Sequence, residues 1–384
     1  MSDRLFTPRF FVMCGFTFTV FLSAFQLLPT APFHIIDLGG STFASGLFLG
    51  FLTYSSAFSA PLTGAFADRV GQRRILITSS LALTVFSLLY AVITSFVWML
   101  ALSVVHGIFW SGLLSASSAY MTNMLPERRR AEGIGYWGLS TIAAVAVAPT
   151  VGFWIYRRGW MWLCLLAAAL NLVMAFIAWN LEENAPQPRA ASASRSGSIL
   201  EWRVLVISLT LFLYSFGYGG ITSFTALYAD ANQVSPKGLY LTTLAIVILV
   251  TRPLSGRLGD RWGYKRVFVP CLVLIAAGLS LLSFGGTRGW MIASAIVFGT
   301  GFGTAYPSYV GYVMRGVGPD RRGAAFGAIL AAFDTGIGTG STGMGWIIQR
   351  FGFGTAFAVA AALAAVALPY FLVVDRIYHG GERR

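Results

Sequence analysis

The chain has 384 residues, 56% of them apolar and 11% charged, and its mean hydropathy of +0.71 lies far above that of a water-soluble domain. A formal net charge of +13 would suit a nucleic-acid binder, but the basic residues are scattered between apolar runs, so a lipid bilayer is the indicated surrounding and nucleic acid is not. Cys14, Cys164 and Cys271 all sit inside apolar runs, a pattern of small hydrophobes that implies neither a disulfide framework nor a metal set.

Apolar runs near or above the roughly 20 residues that cross a bilayer follow one another along the chain. The first six lie at about 10–33, 44–66, 74–95, 97–124, 133–155 and 160–180. Arg4 and Arg9 precede the first run, which has no small-residue cleavage site and is expected to remain as a helix. Residues 181–202 then break the pattern with Pro186, Pro188 and a small-residue stretch from Ala190 to Ser198, the composition of a flexible linker. Six further runs lie at about 203–228, 238–258, 267–285, 289–314, 323–348 and 353–374. The expected fold class is an all-α membrane protein of twelve transmembrane helices, in two six-helix bundles spanning 1–180 and 203–384. If the first run starts inside, 21 of the 27 basic residues fall on inner segments. Only Arg157, Arg158, Lys237, Arg288 and Arg350 fall outside, and Arg252 lies within a run. That bias puts both termini and the linker in the cytoplasm.

The stretch from Pro61 to Arg74 returns 192 positions later from Pro253 to Arg266. Pro61, Leu62, Gly64, Asp68, Arg69, Gly71 and Arg74 match Pro253, Leu254, Gly256, Asp260, Arg261, Gly263 and Arg266, with Thr63/Ser255, Ala67/Gly259 and Arg73/Lys265 as conservative pairs. Half of the chain is also 192 residues, so the period implies two related halves. Gly107/Gly299 and the Arg129-Arg130 and Arg321-Arg322 pairs extend the repeat. The residues suit a tight turn between two apolar helices. The glycines allow close approach and unusual backbone angles, Asp68 can accept N–H groups at a helix start, and the arginines stay at headgroup level.

The pattern from Gly64 to Arg74 resembles the loop 2–3 signature of the major facilitator superfamily, and its second copy resembles the loop 8–9 counterpart; through the repeat the likeness covers the whole chain. The resemblance implies two pseudo-symmetric bundles rocking around a midplane site without ATP. It implies that Asp68 and Asp260, with Arg69, Arg74, Arg261 and Arg266, gate the cytoplasmic side by seating each aspartate at a helix start of the opposite half. In the fourth run the family carries an arginine three residues before a glutamine–glycine pair, where this chain has Ser103, His106 and Gly107. The stretch from Ala144 to Gly152 resembles the antiporter signature of the fifth helix, keeping Pro149 and Gly152 and losing three glycines. By composition alone, Pro149 and Gly152 permit a bend and close packing.

Asp334 lies about 16 Å into the eleventh run at 1.5 Å per residue. A carboxylate at that depth is functional by default, and its structural alternative is a fixed partner of Arg252. His106 is the second protonatable candidate, against the alternative of an interhelical hydrogen bond. Aromatic side chains repeat at one-turn spacing on four runs: Phe21 and Phe25; His106 and Trp110; Tyr214 and Tyr218; Phe298, Phe302 and Tyr306. On the helices that face the cavity by family resemblance, Phe25, Gln26, Trp110, Tyr214, Tyr218, Phe302 and Tyr306 are the pocket candidates. Such a pocket suits an amphipathic organic compound or organic cation, the alternative for each ring being packing or lipid contact. Gly338, Gly340 and Gly343 fit a dinucleotide fingerprint but follow no strand, and they read as helix contacts. No P-loop, zinc-protease or nucleophile-elbow motif occurs, and neither enzyme activity, cofactor nor metal is expected.

The expectation is thus a monomeric, multi-pass transporter of the cytoplasmic (inner) membrane that resembles the drug/metabolite proton-antiporter branch. It would export a small amphipathic compound in exchange for protons through Asp334 and His106. The alternative is a proton-linked symporter taking up a small metabolite or carboxylate, with Arg252 as anchor if it reaches the cavity.

Overall fold

A computed structural model describes residues 5–126, 129–182, 202–318 and 321–379. The described chain is helical in twelve elements, because long apolar segments in lipid must satisfy their own backbone groups. The N-terminal half contains α1 (Pro8–Leu27), α2 (Ala31–Asp37), α3 (Thr42–Val70), α4 (Gln72–Val92), α5 (Phe96–Met124), α6 (Arg130–Tyr156) and α7 (Trp160–Trp179). The C-terminal half contains α8 (Trp202–Ala231), α9 (Leu239–Trp262), α10 (Tyr264–Phe284), α11 (Arg288–Arg315) and α12 (Arg322–His379).

Two boundaries differ from the sequence expectation. The first run is broken, because the chain leaves α1 at Leu28 and re-enters helix at Ala31, where Thr30 turns its hydroxyl back onto the Gln26 carbonyl at 2.8 Å. The last two runs are one 58-residue element whose only recorded interior break is Gly352, at φ 82°. Nine described helices are long and apolar enough to cross a membrane, or ten with the bent α9; the 53-residue stretch Ala325–Ile377 counts once although it holds two arms. Trp98, Phe176, Trp179 and Phe284 are all at least 65% exposed, as rings facing lipid would be. Most of the linker, residues 183–201, lies outside the described residues.

The two motif copies are less turn than helix. α3 runs on through Pro61 and α9 bends by 41° just after Pro253, and each helix ends at a glycine, Gly71 (φ 104°) and Gly263 (φ 88°), in the left-handed region that glycine tolerates best. Gly64 needs no such freedom, since a side chain there would meet open space.

Buried side chains form two large clusters, one drawn from residues 5–181 plus Ile337 and the other from 204–374 plus Ile142. The repeat is visible in how each half clamps its last helix on the arginine-rich face. Tyr120 and Arg73 donate to the carbonyls of Glu182 and Trp179 at the end of α7; Tyr312 and Lys265, their partners at the 192-residue offset, both hold the Asp375 carboxylate near the end of α12. Sequence reading missed the buried Asp375 because the predicted twelfth run stopped at 374.

The tightest interhelical contact is α8 against α12, where glycines let backbones touch: a Cβ on Gly340 would lie 1.9 Å from the Phe216 carbonyl oxygen, and one on Gly219 would lie 2.0 Å from that of Ile337. Gly340→Val is expected to cost roughly 1–3 kcal/mol by overpacking and to lower the thermal midpoint in detergent. Gly15→Ala, which faces open space, is expected to leave the midpoint unchanged; equal midpoints for the two variants would refute the contact.

Candidate functional site

The halves meet at the ends of their helices remote from the arginine-rich loops. There α3 crosses the first arm of α12 with Gly46, Gly50, Gly338 and Gly345 in the contact, and Cβ atoms on Gly46 or Gly345 would fall 2.4 and 2.8 Å from backbone oxygens of Ser341 and Thr42. Four side-chain hydrogen bonds cross between the halves among the described residues. The Ser341 hydroxyl donates to the Gly46 carbonyl at 2.8 Å, and the Gln349 side-chain oxygen accepts from the Phe43 N–H at 3.1 Å. Tyr54 and Thr339 pair at 2.8 Å, and Thr150 and Thr242 join α6 to α9 at 3.0 Å. Lys237 lies 4.5 Å over the ring of Phe33 on the same side.

A cavity of about 290 Å³ opens where these contacts stop. Its lining runs through 49–53 of α3, alongside the seal contacts of Gly50 and Tyr54, and through 141–145 of α6, 245–252 of α9 and 333–337 of α12, which lie nearer the arginine-rich face than the seal contacts of those helices. Beyond it, Phe326 and Leu330, on the same face of α12 as the lining residues, are exposed. The cavity is closed on one side and opens toward the other.

Asp334, Arg252, His106, Phe25, Trp110, Tyr218, Phe302 and Tyr306 all line it, with Phe21, Thr53, Thr141, Thr222 and Phe333. Phe21 stands edge-on to Trp110 at 5.6 Å, and Tyr218 lies nearly parallel to Phe302 at 4.3 Å. Asp334 and Arg252 form no ion pair with each other. Tyr306 lies within electrostatic range of both, and among the described residues neither charged side chain has a hydrogen-bond or ion-pair partner. The fixed Asp334–Arg252 pair weighed above is absent in this conformation. His106 approaches the Tyr90 hydroxyl with Nδ1 at 3.4 Å, long for a hydrogen bond, while Ser103 turns its hydroxyl onto the Leu100 carbonyl.

Several candidates lie elsewhere. Gln26 is fully buried beside Gly152, where a Cβ would fall 2.8 Å from the Gln26 carbonyl oxygen, and the side-chain amide atoms of Gln26 have no hydrogen-bond partner among the described residues. Tyr214 lies behind the wall, edge-on to Phe302 at 6.0 Å, with its hydroxyl unpartnered among the described residues; Phe298 is buried and stacks on Phe302 at 5.3 Å. Both faced the right way by spacing, but one turn of helix separates the ring that lines from the ring that backs it. α6 continues through Pro149, which packs against Gly238 in the seal.

Asp260 is engaged within its own half. It accepts from Tyr264 at 2.9 Å and lies 3.9 Å from Arg315; Tyr264 fills the space that Gly259 and Gly311 leave. Arg69, Arg74, Arg261, Arg266 and Gly256 are exposed. The side chain of Asp68 lies outside the described residues.

A model of the Major Facilitator Superfamily matches residues 11–251 and again 207–383. An uncharacterized MFS-type transporter of Burkholderia pseudomallei (strain 1106a) is 25% identical over 367 residues, 92% of this chain and 89% of its own. Among solved structures, a variant of the nucleoside transporter NupG is similar in fold with a TM-score of 0.79 at 16% identity, over 95% of this chain and 99% of that one. A bacterial homologue of the human lysosomal transporter Spinster, in an inward-facing and occupied conformation, also has a TM-score of 0.79, at 15% identity over 97% of each chain.

The seal generates a prediction. Gly46→Leu must displace the Ser341 backbone and is expected to shift the population toward opening on the sealed side. A cysteine at Thr150 should then react with an impermeant thiol reagent severalfold faster in vesicles; an unchanged rate would refute the seal.

Proposed function

The chain belongs to the major facilitator superfamily, and from that premise we propose a proton-coupled secondary transporter of the cytoplasmic membrane that moves a small amphipathic organic molecule by alternating access. The observation that carries this reading is Asp334, a carboxyl group lining the cavity between the halves with no partner among the described residues. A group so placed exchanges protons with whichever side the cavity faces, and its charge bears directly on anything bound beside it. His106 lines the same space as a second protonatable group. The arginine-rich face is the cytoplasmic one by the positive-inside rule, so the described conformation opens inward, with Asp260 held within its own half.

In this reading the halves, 1–180 and 203–384, rock about the cavity while the linker spans them, and Asp68 and Asp260 re-engage the opposite half when the cytoplasmic side closes. Export by antiport rests on the partial signature around Pro149 and on the aromatic lining. Uptake by symport has the support of a specific observation, since Arg252 does line the cavity and can anchor a carboxylate.

The test is transport in proteoliposomes of known orientation under an imposed pH gradient, with a panel of lipophilic cations, neutral aromatics and small carboxylates. Asp334→Asn is expected to abolish gradient-driven accumulation while leaving counterflow exchange, and His106→Gln is expected to reduce it in part. Full gradient-driven accumulation by Asp334→Asn would remove this residue from the coupling path. The direction of accumulation separates export from uptake.

A further inference from the structure

Resting on the reading that this cavity carries the substrate, we propose that the substrate is a small organic anion with a planar apolar body. Its anionic group sits on Arg252 and its body against Phe21, Phe25 and Trp110, and the anion binds together with a proton on Asp334.

The charge class follows from an inequality between the two ionic side chains. A carboxyl group can discharge itself by taking up a proton, whereas a guanidinium stays charged at any pH a protein survives. Arg252 is half-buried in an apolar, aromatic cavity, and among the described residues no carboxylate pairs with it. A standing charge in such a place requires a counter-ion when the cavity closes, and the planar fork of arginine fits a carboxylate with two parallel hydrogen bonds.

The orientation follows from the repeat. At the 192-residue offset, Arg252, Tyr306 and Asp334 correspond to Ala60, Leu114 and Ile142. Tyr218 corresponds to Gln26, which is buried outside the cavity. The ionic side chains and tyrosine hydroxyls of the cavity therefore come from the C-terminal wall. Its N-terminal wall presents Phe21 and Phe25, 28° from parallel, and Trp110 edge-on to Phe21, with His106, Thr53 and Thr141 as its polar groups. A molecule charged at one end and flat and apolar at the other matches both walls in one orientation.

The coupling follows from charge. Besides Asp334, the ionisable groups at the cavity are His106 from α5, Tyr218 from α8, Arg252 from α9 and Tyr306 from α11; Tyr54 of α3 is engaged with Thr339, and Tyr214 of α8 packs behind Phe333. A bound anion neutralises Arg252 and adds negative charge near Asp334, which favours the protonated carboxyl. By linkage, the proton favours the anion to the same degree. Arg252 with the anion and Asp334 with its proton leave no net charge on this pair of sites. That state closes at the lowest desolvation cost, so anion and proton cross together.

The test uses three probes of one shape, 1-naphthoate, 1-naphthylmethanol and 1-naphthylmethylammonium, titrated calorimetrically into the purified protein in buffers of different ionisation enthalpy. Naphthoate is expected to bind tightest, more tightly as pH falls, with uptake of about one proton per anion. Arg252→Gln is expected to weaken naphthoate about tenfold or more while leaving naphthylmethanol unchanged. Arg252→Lys, which keeps the charge, should recover part of the loss. Asp334→Asn is expected to bind naphthoate without proton uptake. Tighter binding of the ammonium probe, proton release with naphthoate, indifference of naphthoate to Arg252→Gln, or no binding of any probe would each overturn the proposal. If the ammonium probe binds in a manner dependent on Trp110 and Asp334, the anion proposal falls and the transport cavity stands. If probes bind and Trp110→Ala alters none of them, the cavity assignment falls as well.

Discussion

The backbone approach of α3 to the first arm of α12 is the contact on which the rest of the structure depends. Gly46, Gly50, Gly338 and Gly345 let the two helices touch where larger side chains would hold them apart. The contact closes one end of the space between the halves and sets how far the cavity extends. It also places Asp334, one turn from Gly338, at the end of the closed section. On α6 and α9 the contact of Pro149 with Gly238 does the same on the other side. The cavity is therefore the place where close packing ends, more than a chamber built by its own lining.

The halves share their scaffold and differ in their chemistry. Repeat-related residues line the cavity at matched positions: Trp110 with Phe302, Leu114 with Tyr306, Thr141 with Phe333, Ile142 with Asp334, and Val145 with Ile337. Bulk and apolarity are retained at Trp110/Phe302 and Val145/Ile337, and Thr141/Phe333 exchanges a small polar residue for an aromatic one. At Leu114/Tyr306 and Ile142/Asp334 the second half has gained a polar group. Since the scaffold needs neither, function is the economical explanation for both. Arg252 in place of Ala60 follows the same rule.

Much of this was legible in the sequence because the signals were local or periodic. Run lengths placed the helices, and the 192-residue offset exposed the halves. Asp334, Arg252 and His106 stood out because ionisable groups are rare in apolar runs, and all three line the cavity. The break between α1 and α2 was legible in Pro29 and Pro32, which lack the N–H groups a continuous helix needs, and it was missed because the run was drawn from hydropathy alone. Tyr214 and Phe298 were misplaced because helical spacing assigns a face but not how far that face is covered by a neighbour. Gln26 was misplaced for a related reason: a polar residue beside a cavity-lining phenylalanine can point away, into the space left by a glycine on another helix. Asp260 was expected to reach the opposite half, and a single sequence cannot report which conformation a gate is in.

The seal is weak in the way a switching contact must be. Four side-chain hydrogen bonds cross it, each worth on the order of 1 kcal/mol net, and the glycine contacts add packing that an alternative arrangement could replace. Two conformations can interconvert only if their free energies differ by a few kcal/mol, which such a contact permits and an interface of interlocked large side chains would not. What forbids idle switching is then the cavity. With Arg252 unpaired, closing the cytoplasmic side would bury a charge without a counter-ion, at a cost larger than the few hydrogen bonds that could be traded for it. On the proposed reading, the substrate's charge and the proton on Asp334 remove that penalty together. The closed state is then open to the fully loaded transporter, and to the empty one once ionised Asp334 itself serves as the counter-ion of Arg252, whereas anion or proton alone leaves a net charge; coupling requires no contact between the gate and the site beyond the shared low-dielectric space they enclose.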